Sequence, residues 1–137
     1  MKYGRVPPMP QRLPPGAAEQ LDIAEGTIAV VYVLPDPLGR PPQARRTLIA
    51  DESPLKTQMR IDLDEDLRLY WVRQATEGQP TDIDVGIGPL RGARQLLIVC
   101  IWSPTRMAME VSDRDRPRKI VRTSTERSRI QRGRVSG

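Results

Sequence analysis

The sequence predicts an all-β chain: an antiparallel β-sandwich with an extended N-terminal arm and a basic C-terminal tail. Seven or eight short apolar or alternating runs recur, with turn signals about every ten residues. No stretch of ordinary helix length shows an amphipathic helical period. The third observation is Gln95 to Val111 (QLLIVCIWSPTRMAMEV), which reads as a hairpin. In its first arm Leu96, Ile98, Cys100 and Trp102 point one way and Leu97, Val99 and Ile101 the other. An arm apolar on both sides is expected to be covered on both. Pro104 suits the second position of the turn, and Met107, Met109 and Val111 alternate with Ala108, Glu110 and Ser112 in the return arm.

The other elements follow in order. Residues 1–17 hold Pro7, Pro8, Pro10, Pro14 and Pro15, a composition that favours extended geometry and builds no core. Composition by itself fits an unanchored leader. As a functional arm it would strap onto a neighbouring subunit, with Pro7, Pro8, Pro10, Arg12 and Pro14 as contact residues. Gln20 to Glu25 reads as one helical turn. Gly26 to Leu34 is a β-branched strand, apolar on both faces, that ends in the breaker-rich loop Pro35 to Pro42. Arg46 to Ala50 is a short strand. Met59, Ile61 and Leu63 then face inward, and Asp64-Glu65-Asp66 turns the chain. Leu67, Leu69 and Trp71 face inward on the return, as do Ile83, Val85 and Ile87 on the next strand. A last strand is read at Lys119 to Thr123. The domain organisation expected is therefore an arm at 1–17, a sandwich at 18–112, and a basic tail at 113–137 that includes this strand.

Composition bounds the function. The 137 residues suffice for one domain. There is no His, which removes the usual general base and the usual zinc ligand. The single cysteine, Cys100, lies in the most apolar run and reads as a buried, inert thiol. No apolar run approaches the roughly 20 residues that span a bilayer, and MKYGRVPPMP lacks the apolar stretch of a signal peptide. No membrane contact is expected, and the chain is placed in a virion, or in the cytoplasm before assembly. Of 22 Lys and Arg, nine lie in residues 111–137, against three of the 17 Asp and Glu, so the body is near neutral and the tail basic.

The segment order from Glu25 to about residue 122 resembles the concanavalin A-like, laminin-G-like jelly rolls. The residues that carry it are Glu25-Gly26-Thr27-Ile28 into Leu34-Pro35-Asp36, then Thr47-Leu48-Ile49-Ala50. Met59 to Leu63 with Leu67 to Trp71 resembles the following hairpin, and Leu96 to Trp102 with Ser103 to Met107 the late hairpin carrying a tryptophan. The resemblance implies binding of sugars or proteins, sometimes through calcium, and in one branch glycan hydrolysis. The acidic run of that branch, Glu-x-Asp-x-x-Glu, does not occur here, and Asp82 and Asp84 point outward with no visible partner. Asp62, Asp64 and Asp66 have the spacing that opens a calcium loop. Leu67 and Arg73 stand where Gly and Glu are needed, so a hairpin turn with solvated acids is expected and no metal or cofactor is assigned.

Tyr32, Trp71 and Trp102 read as core, while Tyr70, on the outer face, is the candidate for stacking on a ligand. The tail offers Arg114, Arg116, Arg118, Lys119, Arg122, Arg127, Arg129, Arg132 and Arg134 for phosphates or carboxylates. No aromatic is interleaved for base stacking. The function expected is a non-enzymatic structural subunit, a phage capsid decoration or minor virion protein that contacts neighbouring copies or capsid protein through arm and tail, as a homo-oligomer or within a larger assembly. The alternatives are a carbohydrate-binding, lectin-like module and a protein that binds nucleic acid through its tail.

Overall fold

A computed structural model of the chain describes residues 9–75 and 78–126. It is an all-β sandwich of two antiparallel four-stranded sheets. The strands are β1 (Gly26–Val33), β2 (Arg46–Glu52), β3 (Gln58–Leu63), β4 (Arg68–Gln74), β5 (Thr81–Gly86), β6 (Gln95–Trp102), β7 (Arg106–Asp113) and β8 (Arg116–Glu126). Short 3₁₀ turns lie at Ala18–Asp22 and Gly88–Leu90. One sheet has the order β1-β6-β7-β8 and the other β2-β3-β4-β5. The chain therefore changes sheet twice, between β1 and β2 and between β5 and β6, and otherwise runs as two meanders.

The core is the set the alternation picks out. Met59, Ile61, Leu63, Leu69, Trp71, Ile83 and Val85 from one sheet meet Ile28, Val30, Leu96, Ile98, Cys100, Trp102, Met107, Met109 and Val111 from the other. At its centre Trp71 and Trp102 meet edge to face, with ring centroids 6.2 Å apart, an arrangement the aromatic quadrupole favours. The Trp102 indole N–H donates to the Ile23 carbonyl, 2.8 Å away. Gly26 lies opposite Trp102 in the β1–β6 register, and a Cβ there would sit 2.5 Å from the ring. Only glycine lets β1 start so close to the indole. Cys100 is fully buried, and burial pushes its thiol pKa up, as the inert assignment requires. Among the described residues no helix is long and apolar enough to cross a membrane.

Ser103-Pro104-Thr105-Arg106 closes the β6–β7 hairpin through paired Ser103 and Arg106 backbone bonds, with Pro104 in the expected place. A β-bulge between Thr47 and Ile49 lets Leu48 and Ile49 both be buried, which strict alternation does not allow. The last strand, expected at 119–123, runs from Arg116 to Glu126 along β7, with Val121, Thr123 and Thr125 on its inner side.

Candidate interaction surfaces

The two sheets present very different outer faces. That of β2-β3-β4-β5 is polar and self-satisfied. Asp62 sits at its centre, accepting from Arg45 Nε at 2.9 Å, Arg60 Nε at 3.1 Å and Thr47 Oγ1 at 2.8 Å. Asp64 accepts from the N–H groups of Asp66 and Arg68 at 2.8 and 3.0 Å, and from the Tyr70 hydroxyl at 2.8 Å. Arg68 pairs with Asp84. Asp82 is exposed and Asp84 half-buried, both outward as expected.

The sequence predicts solvated acids in this turn, and two of them are not solvated. Asp62 and Asp64 are buried, whereas Glu65 and Asp66 are exposed. The buried carboxylates are stable because guanidinium, hydroxyl and amide donors converge on them, from the same turn and strand as well as from neighbouring segments. Among the described residues no three His, Cys, Asp or Glu gather as metal ligands. Tyr70, the candidate for ligand stacking, is half-buried, its hydroxyl is bonded to Asp64, and the Arg45 guanidinium lies 4.0 Å over its ring. One ring face is thus taken by the protein's own cation.

Two buried acids, Asp64 here and Asp113 on the other sheet, contribute to the response to pH, beside Asp22 and Asp51, whose pKa values are also lowered. Burial alone would raise the pKa of Asp64. It is outweighed by the Arg68 N–H, the Tyr70 hydroxyl, the Asp66 N–H and the charge of Arg45, and the net shift is downward. Asp113, anchoring the β7–β8 turn, behaves alike: burial opposes the charge, while the Asp115 N–H and Arg116 outweigh it. A folded pKa below the unfolded value of about 3.9 means stability that is complete above that value. It is lost as the pH falls through the lower, folded value. Thermal unfolding followed by circular dichroism is expected to give a melting temperature flat from pH 7 to 5 and falling steeply below about pH 4. A melting temperature that holds constant to pH 2 would contradict this account of both turns.

The outer face of β1-β6-β7-β8 is apolar where β1 and β6 meet. The register sets Ala29 beside Val99, Val31 beside Leu97, and Thr27 beside Ile101, which is itself opposite Ala108. Leu97, Val99 and Val31 are only half-buried, Ile101 is 44% exposed and Val33 62% exposed. The expected cover on both sides of β6 is therefore absent within the described residues: one side packs into the core, and the other meets solvent. Towards β7 and β8 the face becomes polar, with Glu110 bonded to Arg122 at 2.9 Å.

The basic residues of 113–126 are mostly committed locally. Arg114 donates to Gln95 at 2.7 Å, Arg116 to the buried Asp113 at 2.8 Å and Arg122 to Glu110. Arg118 and Lys119 are exposed on the bulge of β8. Arg127, Arg129, Arg132 and Arg134 lie outside the described residues, as do Pro7 and Pro8.

Over its described part the proline-rich arm lies on the chain's own domain. Gln11 forms a parallel bridge with Ile49: its N–H donates to the Leu48 carbonyl at 2.8 Å and its carbonyl accepts from the Ala50 N–H at 3.0 Å. Its side-chain Nε2 reaches the Val31 carbonyl of β1 at 3.0 Å, so one residue joins the edges of both sheets. Asp51 receives Arg12 Nη2 at 2.8 Å and the Leu13 N–H at 3.1 Å, and the Leu13 side chain is buried. Pro10 and Pro14 are exposed on either side of this anchor. Arg73 is a residue the sequence did not single out. It donates to the Leu21 carbonyl, lies 5.2 Å from the Trp102 ring, and lines a cleft of about 370 Å³ with Asp22, Thr81 and Met107.

Comparison with protein families, curated proteins and solved structures finds no match to this chain.

Proposed function

We propose that the chain is a non-enzymatic structural subunit that associates with further copies of itself through the outer face of β1-β6-β7-β8, as part of a larger particle. The observation that carries this is the band of Ala29, Val31, Val33, Leu97, Val99 and Ile101 that the described residues leave uncovered, set against a second sheet whose outer face is polar and internally paired. A contiguous exposed apolar patch on a small domain marks a contact surface. A second copy suits it geometrically. A two-fold axis through the band lays β1 of each chain over β6 of the other, leaving the two basic β8 strands on opposite flanks with their like charges apart. The particle setting we propose is a virus or phage capsid, as a decoration or minor structural protein, a role that requires no catalytic set.

The lectin-like function implied by the concanavalin A-like resemblance has less support, because its stacking residue, Tyr70, is capped by Arg45. Nucleic-acid binding is weakened by the local pairing of Arg114, Arg116 and Arg122.

Light scattering of the purified chain at low and high salt tests the proposal. A multimer that persists at high salt is expected, since apolar contacts are not screened as charge contacts are. Val99→Lys sets an ammonium in the band, across from Glu110, and is expected to weaken association at least about a hundredfold while costing no more than about 1 kcal/mol of stability. A chain that is monomeric at every concentration and salt, or a Val99→Lys variant that associates normally, would overturn the assignment.

A further inference from the structure

The arm segment that closes the sandwich is built as a detachable strand, and we infer that residues 9–13 of one copy can occupy the same groove in a second copy, making an exchanged dimer. The inference is independent of what the apolar sheet face contacts. The occupant is given by the structure itself: the groove between the edges of β1 and β2 already holds this peptide. Its acceptors and donor are the Leu48 carbonyl, the Ala50 N–H, the Val31 carbonyl and the Asp51 carboxylate, with Leu13 seated in the core below. A second copy offers the same contacts, so exchange neither gains nor loses bonds within the groove. What decides between the two forms is the hinge and the entropy of association.

The hinge is short and under opposing demands. Pro14-Pro15-Gly16-Ala17 forms a tight turn in which the Ala17 N–H donates to the Pro14 carbonyl at 3.0 Å and Gly16 takes φ +82°. Proline at the second position and a left-handed glycine at the third make a type II turn. The same Pro14-Pro15 pair also favours an extended chain, the form an opened hinge would adopt. Glycine is what allows closure. A Cβ at Gly16 would meet only Glu19 Oε2, at 4.0 Å, so alanine there strains the backbone without a clash. Short hinges carrying such strain favour exchange over closure.

Sedimentation and light scattering of the full chain over a range of concentrations test this. Gly16→Ala is expected to raise the dimer association constant about thirtyfold, because opening relieves one left-handed alanine in each chain. Inserting two glycines between positions 16 and 17 of that variant lengthens the hinge and is expected to return the association constant to that of the parent chain. A photo-cross-linking amino acid in place of Arg12, whose side chain is exposed but lies beside Asp51, reports where the arm sits. Cross-links from one chain to residues 50–52 of another are expected in the dimer. Val99→Lys is expected to leave them unchanged, so that loss of the sheet-face contact and loss of exchange are read separately. A folded Gly16→Ala variant that associates no more strongly than the parent chain at millimolar concentration would overturn the inference. So would a dimer whose Arg12-position cross-links all stay within one chain. Should Gly16→Ala fail to fold, the same cross-links in the chain that retains Gly16 decide the matter.

Discussion

Trp71→Ala is expected to lower the unfolding free energy by about 3–5 kcal/mol, the largest loss from any single side chain of the sandwich. Trp71 is completely buried at the point where β4 faces β6, and it meets the other indole of the core edge to face. Its removal leaves a cavity bounded by strands that cannot collapse, since each is held in register by its sheet. Trp71→Phe is expected to cost much less, about 1–2 kcal/mol. Among the described residues the buried indole N–H has no hydrogen-bond partner, so phenylalanine removes an unpaired donor along with the lost area. Chemical denaturation followed by circular dichroism gives both values. Equal losses for Ala and Phe would show that the ring packs loosely and that the edge-to-face contact contributes little.

Asp64→Ala is expected to cost about 2–3 kcal/mol, although it is a turn residue between two strands. One carboxylate oxygen holds the N–H groups of Asp66 and Arg68, and the other holds the Tyr70 hydroxyl. Leu67 in the same turn takes φ 58°, unfavourable for a residue with a side chain, and is kept there by its own burial and by this set of bonds. Removing the carboxylate frees the turn to relax and leaves the phenol beside Arg45 without its acceptor. The variant is also expected to show a shallower loss of stability below about pH 4 than the parent chain. An Asp64→Ala chain with unchanged denaturation midpoint and unchanged acid response would sink this account of the turn.

Much of the sandwich was legible in the sequence, for a definite reason. Met59, Ile61 and Leu63, then Leu67, Leu69 and Trp71, then Ile83, Val85 and Ile87 alternate with polar residues, and a strand with one wet side declares which side is dry. The Ser103-Pro104 turn was legible from the conformational restriction of proline. For Leu97, Val99 and Ile101 the sequence states only that both sides of the strand prefer cover, and not what supplies it; among the described residues nothing covers their side. The burial of Asp62 and Asp64 was hidden because their partners, Arg45, Thr47, Arg60 and Tyr70, come from other strands or other registers. The anchorage of the arm was hidden for a related reason: Gln11 pairs with β2 at the residue following an irregularity that alternation does not foretell. The extent of β8 was masked by its charges, since its inward positions are Val121, Thr123 and Thr125 rather than a run of large aliphatics.

The pairing of β1 with β6 has a consequence for how the chain is made. The sheet β2-β3-β4-β5 consists wholly of hairpins between successive strands and can zip up locally as it leaves the ribosome. By contrast β1, the first of the eight described strands in chain order, has no sheet partner among them until β6 has emerged. Throughout that interval Ile28, Val30 and Tyr32 have no complete sheet to fix them against the core, and the Gln11 strap has one edge to hold and not two. The earliest of these strands is among the last to be secured, and its closure by β6 is the step that commits the nascent chain to the finished sandwich.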